Sequence, residues 1–276
     1  MARFVLITGK IGAGKSFVSD MLRKKHYTVI DSDSLAKHIY NEPEMFQVVV
    51  SRLGPMCLTE EGKLDFDYMR KYLLTHNPDN NANFAWALAT RLTSKIQYEY
   101  GNSKEIVFIE AAPTRQIGKM IRWLQIKDAI VVSEDDEVRR KRLMSTRNMS
   151  AGTIDAFDKI QSIDNVYTSF FPGFIPKVER TGIKTYELPN CEDANELNTR
   201  LMEIIERNIQ PTADEKYALY ERYLKESPEY CKANAMCYSF YNMGGCNECP
   251  FPCTKKDPEF KEANKRFKAE HSANKL

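Results

Sequence analysis

A glycine-rich segment near the amino terminus constrains the fold of this chain more than any other feature. It reads Gly-Lys-Ile-Gly-Ala-Gly-Lys-Ser over residues 9–16 and matches the pattern G-x-x-x-x-G-K-[ST]. A β-rich apolar run over residues 3–7 precedes it, and apolar residues with helical spacing follow it at positions 17, 18, 21 and 22. Strand, loop and helix in this order form a site for the phosphates of a nucleotide. The segment, called the phosphate loop below, therefore predicts a nucleotide-binding α/β domain.

The residue types of the phosphate loop each have a chemical reason. Glycines let backbone N–H groups close around phosphate oxygens, and the start of the following helix adds positive potential. Lys15 is predicted to reach the β- and γ-phosphates, and the Ser16 hydroxyl is predicted to ligate Mg²⁺. The residues predicted to bind ATP are Gly9, Gly12, Ala13, Gly14, Lys15, Ser16 and Phe17.

Four further apolar segments predict the remainder of a sheet. They are residues 27–30, 106–109, 129–132 and 183–188, with helical patterns between them and a closing helix over 193–208. Near-continuous apolar strands are typical of a parallel sheet that is covered on both faces. The predicted fold is therefore α/β, with a five-stranded parallel sheet and helices on both faces. Residues 42–101 are predicted to form a helical insertion on the acceptor side, and residues 139–165 a lid.

Acidic residues end two of these strands, at the sheet edge where ligands bind. Asp33 is predicted to act as the catalytic base for an attacking hydroxyl, and Asp31 to help hold Mg²⁺. The alternative is a solvated turn in which Asp33 or Ser34 caps the next helix. Glu110 ends the third strand and is predicted to orient Mg²⁺ through water, with helix capping as its alternative.

A basic run over residues 139–147 follows the fourth strand. A basic helix that closes over the site can neutralise charge on the γ-phosphate and exclude water. Arg142 and Arg147 are predicted to act in catalysis in this way, because they lie at the end of the helix, where a lid turn begins. Arg139 and Arg140 are predicted to be surface residues. The alternative for the whole run is a solvated helix face.

Composition restricts the partners and the compartment. With 40 Lys and Arg against 38 Asp and Glu, the formal net charge is +2, so contact with nucleic acid would require a local patch. No run approaches the roughly 20 apolar residues that cross a bilayer, so no membrane partner is predicted. The segment at residues 1–9 leads into glycines instead of a cleavage site, and the predicted location is cytoplasmic.

Five of the seven cysteines crowd near the carboxyl terminus. The composition changes after residue 209, which predicts a nucleotide-binding domain over residues 1–209 and a Cys-rich module over 210–276. The close pair at 246 and 249 is typical of a tetrahedral thiolate site, so structural Zn²⁺ is the first expectation. An iron–sulfur cluster and simple burial of the thiols are the alternatives. Four of the following five residues would ligate the metal: Cys231, Cys237, Cys246, Cys249 and Cys253.

Several stretches of the chain resemble the dephospho-CoA kinases, the P-loop enzymes that phosphorylate the ribose 3′-hydroxyl of dephospho-CoA. Residues 7–16 resemble the family's phosphate loop, and residues 29–37 are similar to its V-I-D-x-D-x-x-A-R segment. Residues 61–65 resemble its D-G-x-L-D-R piece, and residues 142–147 with Gln161 resemble its lid. The resemblance covers about the first 205 residues and implies a P-loop kinase that uses ATP and Mg²⁺. It also implies a nucleotide-like acceptor and Asp33 as the base.

Several positions depart from the family pattern, most of them in the acceptor half. Phe66 stands where the family has Arg, Phe17 where it usually has Thr, and residues 110–115 replace its P-L-L-x-E segment. The family's His-Pro pair has no match. The first hypothesis is therefore an ATP-dependent kinase of a nucleotide-like acceptor. The second is a kinase of a hydroxyl in nucleic acid, such as a hydroxymethyl pyrimidine of DNA or a polynucleotide end, with the Cys-rich module binding the chain. The third is an ATP-gated binding protein without an acceptor.

Overall fold

The computed structural model describes residues 1–75, 82–171, 177–191 and 193–226. Within these ranges the strands are β1 (Arg3–Thr8), β2 (Thr28–Asp31), β3 (Ile106–Glu110), β4 (Asp128–Ser133), β5 (Thr168–Phe171), β6 (Lys177–Arg180) and β7 (Lys184–Pro189). The helices are α1 (Lys15–Lys24), α2 (Ser32–Tyr40), α3 (Pro43–Leu53), α4 (Phe66–Thr75), α5 (Ala82–Tyr100), α6 (Ile117–Trp123), α7 (Asp136–Arg147), α8 (Ala151–Ile160), α9 (Asp164–Tyr167), α10 (Ala194–Glu203) and α11 (Ala213–Glu226).

Five parallel strands form the central sheet in the order β2-β3-β1-β4-β7. β1 is apolar from Phe4 to Ile7 because both of its faces are covered. Val5 and Ile7 pack on one side with residues of α1 and α10, whereas Phe4 and Leu6 pack on the other with residues of α5 and α6. The predicted five-stranded parallel sheet with helices on both faces is confirmed, with strand ends shifted by one residue from the expectation.

The region predicted as a helical insertion contains α3, α4 and α5 between β2 and β3. It has a core of its own, in which Val49, Leu53 and Met69 are almost completely buried. Gly54 ends α3 with a positive φ of 76°. The insertion therefore forms a helical wall beside the carboxyl ends of β2 and β3.

Three features were not expected from the sequence: the β5–β6 pair, a π-helical turn and α11. β5 and β6 form an antiparallel pair that belongs to a separate two-stranded sheet. The predicted closing helix is α10, which continues as a π-helical turn over Ile204–Ile209. α11 follows, and its Leu219 joins the core cluster around α1 and α10.

α11 is also fixed by a polar contact to the sheet. Arg222 donates to both carboxylate oxygens of Glu105, at 2.8 and 3.1 Å, and to the Thr28 hydroxyl. These contacts tie the first helix of the predicted module 210–276 to the nucleotide-binding domain. The rest of that module lies outside the described residues. None of the described helices combines the length and the apolar character that a membrane span requires.

Candidate active site

The backbone of the phosphate loop requires its glycines. Gly9 follows β1 with a φ of +146°, and a Cβ there would lie 2.1 Å from the carbonyl oxygen of Val132. Gly12 and Gly14 adopt positive φ values of 80° and 101°, which side chains disfavour. Since α1 begins at Lys15, directly after the loop, its positive end adjoins the loop. This geometry supports the predicted phosphate site.

The Lys15 side chain folds back over the loop. Its Nζ donates to the carbonyl oxygens of Gly9 at 2.8 Å and Lys10 at 3.0 Å. Burial lowers the pKa of Lys15, and the negative charges of Glu110 and Asp33 partly offset that effect. A desolvated ammonium gains strongly from an approaching anion, so this position suits a phosphate group.

Oxygen donors meet beside the loop where Mg²⁺ was predicted. The Ser16 hydroxyl donates to Oε1 of Glu110 at 2.8 Å, and the Glu110 side chain is almost completely buried at the end of β3. Asp31 is the register partner of Glu110 on β2. Carboxylate and hydroxyl oxygens are the ligands that Mg²⁺ prefers, so this donor set fits the ion.

Asp31 caps α2. Its Oδ1 accepts from the backbone N–H groups of Asp33 at 2.9 Å and Ser34 at 3.2 Å, and its Oδ2 accepts from the Ser34 hydroxyl at 2.7 Å. The capping residue is thus Asp31, whereas the sequence alternative named Asp33 or Ser34. The Mg²⁺ role of Asp31 stays a prediction.

Asp33 lies in the first turn of α2 and lines a cleft, and its negative charge raises the pKa of Lys15 in the phosphate loop. Its side chain is open to that cleft, yet the surrounding protein displaces enough water to raise the pKa of its carboxyl. The charge of Asp31 raises this pKa further, and the cations Lys15 and Lys37 act in the opposite direction. A carboxylate with a raised pKa is a stronger base than an ordinary one.

The cleft beside Asp33 has a volume of about 650 Å³, which is within the range of ligand pockets. α2, α4, α5, the segment after β3 and the end of α8 supply its walls. Its apolar lining includes Tyr40, Phe66, Leu88 and Phe157, and its basic lining comprises Lys37, Arg70, Arg115 and Lys159. An extended ligand with anionic groups matches this combination.

The predicted lid is the helix pair α7 and α8, and Arg142 lies at the phosphate loop. Its Nη1 donates to the carbonyl oxygen of Gly12 at 3.2 Å, and its Nη2 binds the Glu134 carboxylate. Arg147 ends α7 and is exposed, and its charge contributes to lowering the pKa of Lys15. Both arginines thus lie near the loop, and their catalytic roles stay predictions.

The prediction that Arg139 lies on the surface is wrong. The side chain is 1% exposed, and Nη1 donates to the carbonyl oxygen of Ile11 at 3.1 Å. Arg140, also predicted to lie on the surface, is half-buried and pairs with Asp155 at 2.8 Å. The spacing of three residues between Arg139 and Arg142 places both on one helix face, and this signal in the sequence could have identified Arg139.

Sequence reasoning also missed a polar link on the other side of the loop. Glu134 follows β4, and its Oε2 accepts from Nδ2 of Asn190 at 2.9 Å as well as from Arg142. Asn190 packs against Gly14, where a Cβ would lie 2.7 Å from its Nδ2. Glu134 was detectable by the same rule that identified Glu110, since both acids stand where a parallel strand ends.

The remaining residues predicted to bind ATP or a metal lie in or next to the phosphate loop and near the carboxyl terminus. Ala13 is buried in the core, and Phe17 is 47% exposed on α1, so a role for the Phe17 side chain in ATP binding stays a prediction. The five clustered cysteines lie outside the described residues, and their metal site stays a prediction. Within the described ranges no group of three or more His, Cys, Asp or Glu side chains could hold a metal ion, and Cys57 and Cys191 are free thiols.

Comparisons with known proteins point to one family. A family model described as dephospho-CoA kinase matches residues 3–165, more than half of the chain. The dephospho-CoA kinase of Streptococcus agalactiae is 27% identical over 153 residues, which are 54% of this chain and 77% of that protein. The dephospho-CoA kinase of Haemophilus ducreyi is 25% identical over 156 residues, which are 56% of this chain and 74% of that protein. The crystal structure of a Thermus thermophilus protein covers 74% of this chain and 96% of its own, with a TM-score of 0.56 and 21% identity, and it supports the fold alone.

Proposed function

The chain belongs to the dephospho-CoA kinase family of P-loop kinases, and from this premise we propose that it phosphorylates a nucleotide-like acceptor bound in the cleft, with Asp33 as the base. The observation that carries the proposal is the position of Asp33. Its carboxylate influences the pKa of Lys15 in the phosphate loop, and the same residue lines the cleft. A base between the two substrates is what transfer of a phosphoryl group to a hydroxyl requires.

The phosphate loop supplies the ATP side of the reaction. Lys15 would exchange its two carbonyl partners for oxygens of the β- and γ-phosphates. Arg142, beside Gly12, would stabilise negative charge on the transferring group. Ser16 and Glu110 would hold Mg²⁺, which when bound neutralises charge on the β- and γ-phosphates.

The cleft supplies the acceptor side. The family is named after dephospho-CoA, and we adopt this compound as the proposed substrate. Its diphosphate would find basic partners among Lys37, Arg70 and Arg115, and its uncharged parts would find the apolar walls. Phe66 packs near Lys37, whose Nζ lies 5.8 Å from the ring centroid.

The proposed step is an in-line displacement. The acceptor oxygen forms a bond to the γ-phosphorus as the bond from that phosphorus to the bridging oxygen of ADP breaks. Asp33 takes the proton of the hydroxyl, and its raised pKa favours this transfer at neutral pH. The products are ADP and the phosphorylated acceptor.

The test offers the purified protein γ-labelled ATP and Mg²⁺ with parallel acceptors. These are dephospho-CoA, a panel of nucleosides and nucleotides, and DNA with and without hydroxymethylated pyrimidines. We expect label in dephospho-CoA and a loss of that label in Asp33→Asn. Label in DNA alone would contradict the proposed acceptor and favour the nucleic-acid hypothesis. ATP binding without label in any acceptor would contradict the kinase reaction and favour the ATP-gated binding protein.

A further inference from the structure

Arg139 occupies the junction between the phosphate loop and the two lid helices. It has the largest side chain among the fully buried residues of the described part of the chain. Its guanidinium donates to the carbonyl oxygen of Ile11 at 3.1 Å, to Asp158 at 2.7 Å and to Asp136 at 3.0 Å. The planar fork of arginine thus joins three segments at one point, which the single ammonium of lysine cannot do.

The lid holds the same loop residue from a second side. The N–H group of Ile11 donates to Oε1 of Gln161 at 2.6 Å, and Gln161 directly follows α8. Both backbone polar groups of Ile11 are therefore bound by the lid, one by each end of the helix pair. Leu143 packs over Gly12, where a Cβ would lie 2.8 Å from its Cγ. These contacts fasten α7 and α8 to the phosphate loop.

We propose that Arg139 is a positioning residue for phosphoryl transfer, which fastens the lid to Ile11 and thereby directs Arg142 toward the phosphates of ATP. The two arginines are three residues apart on one face of α7, and both donate to neighbouring loop carbonyls. Fixing the rotation of α7 at Arg139 therefore fixes where Arg142 points. This inference rests on the proposed kinase function.

The variants separate positioning from simple stability. Arg139→Met removes the three contacts, and Asp158→Asn removes one charged partner at nearly constant size. Arg140→Met is the matched control, because Arg140 is the next residue of α7 and pairs mainly with exposed Asp155, at 2.8 Å. Its contact to Asp158, at 3.5 Å, is longer than that of Arg139, at 2.7 Å. Arg139→Lys keeps the charge and can restore one contact of the three. Melting temperature and far-UV circular dichroism establish that each variant is folded at the assay temperature.

The effects on kcat and on the Kd for ATP are measured separately. Since displacement of a catalytic group by about 1 Å costs about 100-fold in rate, we expect Arg139→Met to lower kcat by roughly that factor. The Kd for ATP should change by less than about threefold, because Arg142 is proposed to act on the transferring group. Arg139→Lys and Asp158→Asn should lie between wild type and Arg139→Met, and Arg140→Met should keep kcat within about twofold. If Arg139→Met does not fold, kcat and the Kd for ATP of Arg139→Lys and Asp158→Asn are compared with those of wild type and Arg140→Met instead.

A double-mutant cycle with Arg142→Met gives the decisive result. If Arg139 acts through Arg142, Arg139→Met should cost little further activity once Arg142 is absent, within about threefold. Equal losses from Arg139→Met in the wild-type and Arg142→Met backgrounds would overturn the proposal. An unchanged kcat in folded Arg139→Met would overturn it as well.

Hydrogen exchange tests the fastening without any acceptor. Amides over residues 136–160 should exchange faster in Arg139→Met than in wild type or Arg140→Met, because the lid is released from the loop. Equal exchange in all three proteins would refute the fastening. This readout remains valid if no acceptor is phosphorylated, so failure of the kinase reaction and failure of the positioning role are distinguishable.

Discussion

Lys119 is buried between the only two tryptophans of the chain, and replacing it is expected to change stability in a pH-dependent way. Its Nζ lies 3.5 Å from the ring centroid of Trp86 and 4.2 Å from that of Trp123. It also donates to the Trp86 carbonyl oxygen at 3.3 Å and to the Thr90 hydroxyl. Loss of hydration lowers the pKa of Lys119 to about 8. α6, which carries Lys119, forms part of the cleft wall through Met120.

The magnitude follows from that pKa. An unfolded lysine titrates near 10.4, so a folded value of about 8 corresponds to roughly 3 kcal/mol of destabilisation at neutral pH. The two ring contacts offset part of this by about 0.5 to 1 kcal/mol each, because a cation gains energy over an aromatic face and neither ring is fully buried, Trp123 being 47% exposed. In Lys119→Met, the Thr90 hydroxyl keeps its bond to the Trp86 carbonyl oxygen at 2.8 Å. We therefore expect a net stabilisation of about 1 to 2 kcal/mol at pH 7.

Urea unfolding at a series of pH values measures the stability change at pH 7 and the dependence of stability on pH. Between about pH 8 and pH 10.5 the unfolded state binds more protons at this position than the folded state, so the Lys119 contribution to wild-type stability rises with pH. In Lys119→Met, this increase of the free energy of unfolding with pH should be absent. Lys95→Met is a matched control, since Lys95 makes a solvent-accessible pair with Glu42. A less stable Lys119→Met protein at pH 7 would refute the reasoning, because it would mean that the ring contacts outweigh the lost hydration.

Three further outcomes follow from single contacts. Gly9→Ala should weaken ATP binding by more than about tenfold in calorimetry, since its Cβ would lie 2.1 Å from a strand carbonyl oxygen; unchanged affinity would contradict the loop geometry. Glu110→Gln should raise the Mg²⁺ concentration for half-maximal activity by about tenfold or more, and an unchanged Mg²⁺ titration would remove Glu110 from the ion site. Arg222→Met should lower the free energy of unfolding by about 1 to 3 kcal/mol because α11 loses its link to Glu105, whereas Arg207→Met, in an exposed pair, should change it by less than about 0.5 kcal/mol; equal effects would show that the link is not stabilising.

The central sheet could be predicted because its signals are local. Each strand is a short apolar run that is covered on both faces, and the glycines of the phosphate loop are required by positive φ values and by the close approach of Val132. Strand-end acids such as Glu110 follow from the rule that carboxyl ends of parallel strands share one edge. Each of these features is determined by a few neighbouring residues in the sequence.

The missed features depend on contacts between distant segments. The basic run over 139–147 is mostly hydrophilic, and the burial of Arg139 depends on carboxylates at Asp136 and Asp158 and on the carbonyl group of Ile11, 128 residues away. The β5–β6 pair consists of two four-residue strands, which carry little periodic signal. α11 follows a Pro and a change of composition, and only its long-range contact to Glu105 reveals where it packs.

The most direct test of the central claim is the rate of phosphoryl transfer to dephospho-CoA by Asp33→Asn as a function of pH. If Asp33 is the base, kcat should fall by about 10² to 10⁴-fold while the Kd for ATP stays within about threefold of wild type. The wild-type rate should decline on acidification at a higher pH than an ordinary aspartate would give, because loss of hydration and the charge of Asp31 raise the pKa of this carboxyl. An Asp33→Asn protein with kcat within threefold of wild type and the same acid limb would contradict the claim.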